Sequence, residues 1–438
     1  MRRTGGRPWA FLVSQFGAGA SELRFGPVKD RDADPERLWS LWSHSARSKY
    51  LDTSNSEWKR ILKNLNADGL RGLAALNVVI SHFVAAFLPT ALYYNYPSVF
   101  AQDATPSLGM SLMTTPLATL TFNGHFPVVL FFVLSGYVLT IPHFNGNIDA
   151  IRRRLWGRYF RLNVPIFAAI MFSFIIYHYG LYSNLKASTI SGSTWLEVYF
   201  KPGYSLIDAL ESGLYGSIFH GDGSFVPPLW TLKIEFIGSL YLLSFYVIKP
   251  RDQLIVPALL FVLFLLFMHG GEALYYFAIL AGSFINLLKL TPSIARLFCL
   301  IGLFFGAFQF HSMAYGVLPS ASWFGLHHEI DKTVYNLVGA LFLTAGVVNG
   351  AGSTLLQSRP IQFLGKISFS LYIIHFSILC SMSCSLYLLL PEGTLSLLTI
   401  FTFYILSCMI LSLAFHATFD RPSIKLSHSL SSVLAGTR

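Results

Sequence analysis

Residues 70–92 read LRGLAALNVVISHFVAAFLPTAL, a run that is long and apolar enough to cross a bilayer. It carries two ionisable side chains, Arg71 and His82, and such groups are costly in a membrane and functional by default. On a helix their separation is three turns plus about 20°, so both share one face with a rise of ~16.5 Å between them. Ala75 and Val78 lie between them on that face and are small enough to leave a channel. The alternative is an arginine that anchors the helix end and an unrelated, hydrogen-bonded histidine.

The composition excludes a soluble globular protein. Of the 438 residues 53% are hydrophobic and only 12% are charged, and the mean hydropathy is +0.54. We therefore predict an all-α polytopic membrane protein, a bundle of about ten transmembrane helices. The apolar runs that define these helices are residues 72–92, 126–142, 162–181, 229–248, 253–269, 273–290, 294–310, 333–350, 367–390 and 394–417.

The distribution of lysine and arginine predicts the orientation, because these residues are retained in cytoplasmic loops. With residues 1–71 on the cytoplasmic side, the cytoplasmic loops and tail contain Arg152, Arg153, Arg154, Arg158, Arg161, Lys249, Arg251, Lys289, Arg296, Arg359, Lys366, Arg421, Lys425 and Arg438. The opposite loops contain only Lys186, Lys201 and Lys332. This pattern predicts that both termini are cytoplasmic. It also explains the net charge of +10 by topology and attraction to anionic lipid, without nucleic-acid binding.

Three segments are predicted along the chain. Residues 1–67 form a basic cytoplasmic tail, partly disordered, with an interfacial helix near residues 55–66. Residues 68–425 form the membrane domain, and residues 426–438 form a second cytoplasmic tail. The four cysteines lie inside predicted helices, and their spacing indicates neither a disulfide framework nor a zinc site.

Two predicted non-cytoplasmic loops, residues 93–125 and 182–228, are longer than idle connections usually are. The second contains aromatic and acidic residues. A lid over a substrate is one explanation, and a solvated or glycosylated loop is the other.

Arg158 and Arg161 lie one turn apart at the start of the predicted third membrane helix. Two guanidinium groups on one side of a helix suit bidentate contacts to phosphate. Arg71 begins the first helix at the same membrane level, so three arginines converge there. This cluster favours a polyphosphate such as the nucleotide end of coenzyme A, and a lipid headgroup is nearly as well supported by charge alone.

Glu235 lies about two turns into the predicted fourth helix, where a carboxylate needs a partner. The candidates are His82, Arg71 and Lys233. A glutamate and a histidine from different helices can form a base and the group that orients it. A structural ion pair is the alternative.

Two further segments carry polar residues at helical spacing. In the segment from Leu364 to His375, the side chains of Ser368, Tyr372 and His375 share one face. His375 is a second candidate site residue, although an interior histidine bonded to a hydroxyl is more common. Ser135 and Gly136 favour close helix packing.

Together these segments resemble the acyltransferase-3 family of integral membrane acyltransferases. The similarity rests on blocks that occur in the family's order. They are Asp68 to Ala75 with Arg71 and His82 in an Arg-x10-His pattern, Phe131 to Tyr137, Arg158 to Arg161, Leu229 to Glu235, Leu364 to His375, and Asp420-Arg421-Pro422. Thr231, Phe369 and Asp420 stand where the family usually has Ser, Tyr and Glu, and Lys233 is an unusual charge in its block.

The resemblance implies transfer of an acyl group, often acetyl, from cytoplasmic acyl-CoA to a hydroxyl of a carbohydrate, lipid or small metabolite. By this analogy His82 is the catalytic base, Arg71 assists it or the donor, and Arg158 with Arg161 holds the CoA phosphates. Acyl-CoA is then a co-substrate, with no permanently bound cofactor and no metal. We add Glu235 to the catalytic candidates. The candidates for a substrate site are Asp68, Tyr137, Ser368, Tyr372 and His375.

The resulting hypothesis places the nucleotide end of CoA at the arginines and its pantetheine arm along the first helix, so that the thioester reaches His82. Direct transfer and a route through acyl-His82 both remain open. One rival function is a proton-coupled or lipid transporter that uses His82, Glu235 and Lys233 as a relay. Another is a translocator that passes the acyl group to an external enzyme.

Overall fold

The computed structural model describes residues 64–103, 105, 107–248, 262, 272–324, 327 and 329–434. Of the predicted tail 1–67, only residues 64–67 belong to this part, so nearly all of the tail and its interfacial helix lie outside the described residues. The predicted span at residues 253–269 also lies outside them, apart from residue 262. The described part of the chain is helical and contains no strand.

The longer helices are named α1 to α10 in chain order. They are α1 Leu65–Phe87, α2 His125–Phe144, α3 Ile148–His178, α4 Trp230–Ile248, α5 Ala273–Phe284, α6 Pro292–Gly306, α7 Glu329–Val348, α8 Arg359–Ile378, α9 Thr394–Phe415 and α10 Arg421–Leu434. A π-helical segment, Leu379–Ser383, extends α8 into the helix Cys384–Leu389, and another, His416–Asp420, joins α9 to α10. The short helix Pro89–Leu92 follows α1, and the two long loops contain the short helices Leu108–Met113, Pro116–Thr119, Asn184–Ser191, Thr194–Glu197, Leu206–Glu211 and Ser212–His220.

Six helical stretches in the described part are long and apolar enough to cross a membrane, so the predicted count of ten is not confirmed. They are Leu65–Phe87, His125–Phe144, Ile148–His178, Pro227–Ile248, Arg359–Leu389 and Thr394–Leu434. The predicted runs at residues 273–290 and 294–310 form shorter apolar helices. Of these, α6 has 15 residues, which at ~1.5 Å each fall short of a ~30 Å hydrocarbon core. The run at residues 333–350 forms most of α7, whose first turn is charged.

Helix α1 positions both residues of the Arg-x10-His pattern. It begins after Asn64, whose side-chain oxygen accepts hydrogen bonds from the backbone N–H groups of Asn66 and Ala67 at 3.0 and 3.2 Å. The helix is unbroken from Leu65 to Phe87. Arg71 and His82 therefore keep the ~16.5 Å rise expected of eleven helical residues.

Helix α8 packs along α1 because both helices have glycine at the crossing. A Cβ atom on Gly72 would overlap the backbone nitrogen of Gly365, and one on Gly365 would overlap the carbonyl oxygen of Asp68. Such small residues let helix backbones approach closely in membranes. The crossing sets α8 against α1 and so brings the face of α8 that carries Tyr372 and His375 towards His82.

Candidate active site

Two cavities adjoin inside the helix bundle. The arginine cavity, of about 500 Å³, is lined by Arg71, Arg158, Arg161, Glu235, Lys366 and Asp420 among others. The histidine cavity, of about 570 Å³, is lined by His82, His125, Trp195, Tyr199, Trp230 and Phe376 among others. Val128 and Tyr372 line both cavities, so these two side chains mark the junction between them. The Arg-x10-His pattern thus has its arginine in one cavity and its histidine in the other.

Each of the three predicted arginines in the arginine cavity has a carboxylate partner. Arg71 lies 3.5 Å from Asp68, one turn back on α1. Arg158 donates from Nη2 to Glu235 Oε1, and Arg161 donates to Asp420 Oδ1 at 2.7 Å. The last two pairs join helix to helix, because Arg158 and Arg161 lie on α3 whereas their partners lie on α4 and at the junction of α9 with α10.

The Arg158–Glu235 pair is the more deeply enclosed, with side chains 11% and 12% exposed. Ser135 donates to the same Glu235 oxygen at 2.8 Å, and Arg158 Nε donates to Ser239 at 2.8 Å. Glu235 therefore has Arg158 as its partner. Of the partners considered from sequence, Lys233 instead pairs with Glu272, at 2.7 Å.

Asp420 connects the carboxy-terminal helices to the arginine cavity. One of its carboxylate oxygens accepts from Arg161, and the other lies 2.6 Å from His416 Nδ1. The guanidinium carbon of Arg161 also lies 5.2 Å from the ring centroid of Phe369, within the range of a cation–π contact. Arg161 is thereby held in a defined orientation towards the cavity.

The charge balance of the arginine cavity favours an anion. Arg71, Arg158, Arg161 and Lys366 oppose three carboxylates in its lining. A guanidinium has five N–H donors, and the hydrogen bonds described above use a minority of them. Donors and net positive charge are therefore available for a multiply charged ligand such as a polyphosphate.

In the histidine cavity, His82 is joined to His375. His82 Nδ1 lies 2.7 Å from His375 Nε2, and His375 Nδ1 lies 3.0 Å from the carbonyl oxygen of Leu371. His375 is fully buried, whereas His82 is partly exposed and lines the cavity. The accessible surface of this histidine pair is consequently that of His82.

Aromatic rings hold the His82 imidazole from two sides. Trp195 stacks on it with ring centroids 5.3 Å apart, and Phe376 meets it edge-on at 5.4 Å. Trp195 belongs to the second long loop, which is fastened to α1 where Ser193 donates to the carbonyl oxygen of Ala85 at 2.6 Å. The loop predicted as a possible lid therefore contacts His82 through Trp195. The lining described for this cavity contains no Asp, Glu, Lys or Arg.

Tyr372 lies at the junction between the cavities. Its hydroxyl lies 2.8 Å from Thr231 Oγ1 and 3.3 Å from the carbonyl oxygen of Pro228, at the start of α4. The ring of Phe131 meets the Tyr372 ring edge-on, with centroids 5.6 Å apart. The Tyr372 hydroxyl thus links α8 to the start of α4 by hydrogen bonds where the two cavities meet.

The remaining predicted substrate-site residues are not all at the junction. Asp68 and Ser368 line the arginine cavity, and Ser368 donates to the carbonyl oxygen of Gly365 at 2.9 Å. Tyr137 accepts a hydrogen bond of 3.1 Å from Asn64 at the start of α1 and is absent from the lining described for either cavity. The structure thus brings Tyr372 and His375 close to His82 but not Tyr137.

Several lining residues were missed or undervalued from sequence. The sequence predicts helix packing for Ser135, whereas the structure shows its hydroxyl bonded to Glu235. A hydroxyl in one motif block and a buried glutamate in a later block were a signal for this contact. Trp195 and His125 lie on or next to the long loops, where the spacing of residues along the chain does not predict how deeply a side chain is buried. His125 receives a hydrogen bond of 2.8 Å from Asn336 and lies 3.1 Å from Tyr275. Within the described ranges no group of three His, Cys, Asp or Glu side chains is arranged to hold a metal ion.

Comparison with known proteins identifies one family. The acyltransferase-3 family model, described as an acyltransferase domain, matches residues 64–417, which is most of the chain. The matched segment includes both cavities except for the lining residues that follow residue 417, such as Asp420. No curated protein and no solved structure matches the chain.

Proposed function

The chain belongs to the acyltransferase-3 family and is a multi-pass membrane acyltransferase. From this premise we propose that it transfers an acyl group, most simply acetyl, from acyl-CoA to a hydroxyl of a carbohydrate, lipid or small metabolite, with His82 as the general base. The observation that carries the proposal is the pair of adjoining cavities. One offers cations for the donor, and the other offers an accessible imidazole in aromatic surroundings.

The arginine cavity supports acyl-CoA as the donor. The phosphates of CoA are multiply charged and accept hydrogen bonds from guanidinium groups in bidentate geometry. Arg71, Arg158 and Arg161 provide these groups around one cavity. The distribution of lysine and arginine predicts that this end of the bundle and both termini are cytoplasmic, and this prediction supports a cytoplasmic donor.

The spacing along α1 supports delivery of the thioester to His82. The flexible arm of CoA has to cover the ~16.5 Å rise between the levels of Arg71 and His82. Val78 lines the histidine cavity beside His82, and its small side chain leaves room for a narrow chain. The arm must also pass Tyr372, so the proposal requires this side chain to move aside when the donor is bound.

The chemical step follows from the properties of imidazole. The acceptor hydroxyl attacks the thioester carbonyl while His82 takes its proton, a role suited to a group with an unperturbed pKa of about 6.5. The new C–O bond forms, the C–S bond breaks, and the CoA thiolate leaves with the proton returned by His82. Aromatic walls that limit water would suppress hydrolysis of the thioester.

Titration of CoA into the purified protein tests the donor site. We expect binding that the Arg71→Gln variant weakens about tenfold or more, because a hydrogen bond to a charged group contributes about 1.5–3 kcal/mol. Arg71 is suited to the test since its side chain is 31% exposed, which limits damage to folding.

Arg152→Gln is the matched control. Arg152 pairs with Asp149 at 3.2 Å on an exposed part of α3, away from the residues that line the arginine cavity. It should bind CoA as the wild type does. No CoA binding by folded wild-type protein at high micromolar concentrations would overturn the proposal and favour a proton-coupled or lipid transporter.

The acceptor is found by comparing metabolites from cells that contain the wild-type protein with those that contain the His82→Ala variant. We expect a metabolite that carries one additional acyl group only with the wild type. A translocator that serves a separate enzyme would instead release acyl groups across the membrane without forming this product in a purified system.

A further inference from the structure

We infer that His375 is a positioning residue that holds His82 in the tautomer whose Nε2 is unprotonated and faces the acceptor. The inference rests on the proposed function, in which His82 is the base, and extends it by assigning the base to one nitrogen and the orientation to a second histidine. It follows from a chain of hydrogen bonds that runs from the backbone of α8 to the histidine cavity.

The chain begins at a group that can only accept. The carbonyl oxygen of Leu371 lies 3.0 Å from His375 Nδ1, so the hydrogen of that bond is on Nδ1. A neutral imidazole carries one N–H, which leaves His375 Nε2 as an acceptor. His82 Nδ1 lies 2.7 Å from this acceptor and must therefore be the donor. The single N–H of neutral His82 is thereby placed on Nδ1, and its Nε2 keeps a lone pair.

The ring geometry agrees with this direction. The planes of the His82 and His375 rings are within 11° of parallel, and their centroids are 5.0 Å apart. Because the facing nitrogens are only 2.7 Å apart, this centroid separation places the rings edge to edge, so the N–H of one points along the lone pair of the other. Trp195, at 27° to the His82 ring, contacts its face and hinders rotation out of this plane.

Burial decides which histidine acts on the substrate. His375 is 0% exposed, and the hydrogen bonds above occupy both of its ring nitrogens. His82 lines the cavity, and the hydrogen bond described for its ring uses Nδ1. When Nε2 takes the acceptor's proton, the imidazolium keeps its Nδ1–H bond to His375, which stabilises the charge without a carboxylate. Glu235, the carboxylate considered for this role, is instead bound to Arg158 in the arginine cavity.

Two substitutions separate orientation from packing. His375→Leu removes the acceptor while keeping an apolar side chain, and His375→Gln retains an oxygen able to accept from His82 Nδ1. With the acceptor metabolite and acyl-CoA as substrates, we expect His375→Leu to lower kcat about 100-fold, within the range of general-base contributions. The KM for acyl-CoA should change less than about threefold. His375→Gln should recover kcat to within about tenfold of the wild type.

Tautomers are measured directly by ¹⁵N chemical shifts in histidine-labelled protein, with the His82 signals identified by their loss in His82→Ala. We expect protonated Nδ1 and bare Nε2 on His82 in the wild type, and a shift towards the Nε2–H form in folded His375→Leu that still binds CoA. A wild-type His82 protonated on Nε2, or equal kcat losses in both variants, would overturn the inference. Failure of the proposed function gives a different result, since His82→Ala would then retain full transferase activity.

Discussion

The two cavities differ in what lines them although they share a wall. The arginine cavity is crossed by ion pairs from α1, α3 and α4, whereas the lining described for the histidine cavity is aromatic and contains no Asp, Glu, Lys or Arg. A charged ligand is best held where compensating charges are already present, because burying a charge alone is costly. A neutral base and a hydroxyl acceptor, by contrast, are best enclosed where water is limited. Under the proposed function, recognition of the donor and the chemical step take place in separate compartments.

The side chains at the junction of the two cavities determine how completely the cavities are separated. Tyr372 is hydrogen-bonded to the start of α4 and, together with Val128, lines both compartments where they meet. Substitutions that alter one cavity and leave the other intact test whether the two compartments work separately.

The largest effect is expected from His82→Ala, which removes the base from the aromatic cavity alone. We expect kcat for acyl transfer to fall about 10²- to 10⁴-fold, the usual range for general acid–base catalysis. CoA affinity, measured by titration, should stay within about twofold of the wild type because the arginine cavity is untouched. Full transferase activity in this variant would remove His82 from the chemistry.

Glu235→Gln should alter the stability of the arginine cavity and its response to ligand. Removing one partner of a buried ion pair costs about 3–5 kcal/mol, because Arg158 is left without compensation. We expect a lower melting temperature without CoA and a larger rise on adding CoA than in the wild type, since a phosphate supplies the missing anion.

Thermal denaturation in detergent with and without CoA measures both quantities. The matched control is Glu272→Gln, which removes the exposed partner of Lys233 and should leave the CoA-induced rise unchanged. An equal rise in Glu235→Gln and the wild type would show that phosphate does not approach Arg158.

Tyr372→Ala should weaken the division itself. With the phenol removed, acyl-CoA reaches the histidine cavity more freely, and we expect its hydrolysis without acceptor to rise about tenfold. Tyr372→Phe keeps the ring and loses only the bonds to Thr231 and Pro228, so its rate should stay within about threefold of the wild type. Release of free thiol reports the rate, and unchanged hydrolysis in Tyr372→Ala would mean that the ring does not separate the cavities.

The smallest effect is expected from salt. Raising the ionic strength from about 0.1 M to 1 M shortens the Debye length from about 10 Å to 3 Å, so CoA should bind several-fold more weakly. The KM for the acceptor should not change, because no charged side chain was found in the lining of its cavity. Parallel salt dependence of both constants would contradict the assignment of charge to one compartment.

Prediction from sequence succeeded where structure depends on local pattern. The apolar run around Arg71 and His82 predicted α1 as a membrane helix, and the structure confirms an all-helical fold in its described part. The count of ten spans was not confirmed. In some apolar runs, such as the one that contains α6, the helix that forms is shorter than the apolar stretch of sequence and too short to cross a membrane. Spacing along one helix gave the shared face of Tyr372 and His375 but not what that face contacts.

Helix period and hydropathy are properties of neighbouring residues, so the amino-acid sequence was enough to predict the class of protein, the helical membrane segments and the three-turn spacing between Arg71 and His82. The pairing of Glu235 with Arg158, the pairing of His82 with His375, and the position of Tyr372 at both cavities became visible in the folded structure. These contacts join residues on different helices, 77 and 293 positions apart in the first two cases. They depend on how the helices cross, which no local pattern specifies.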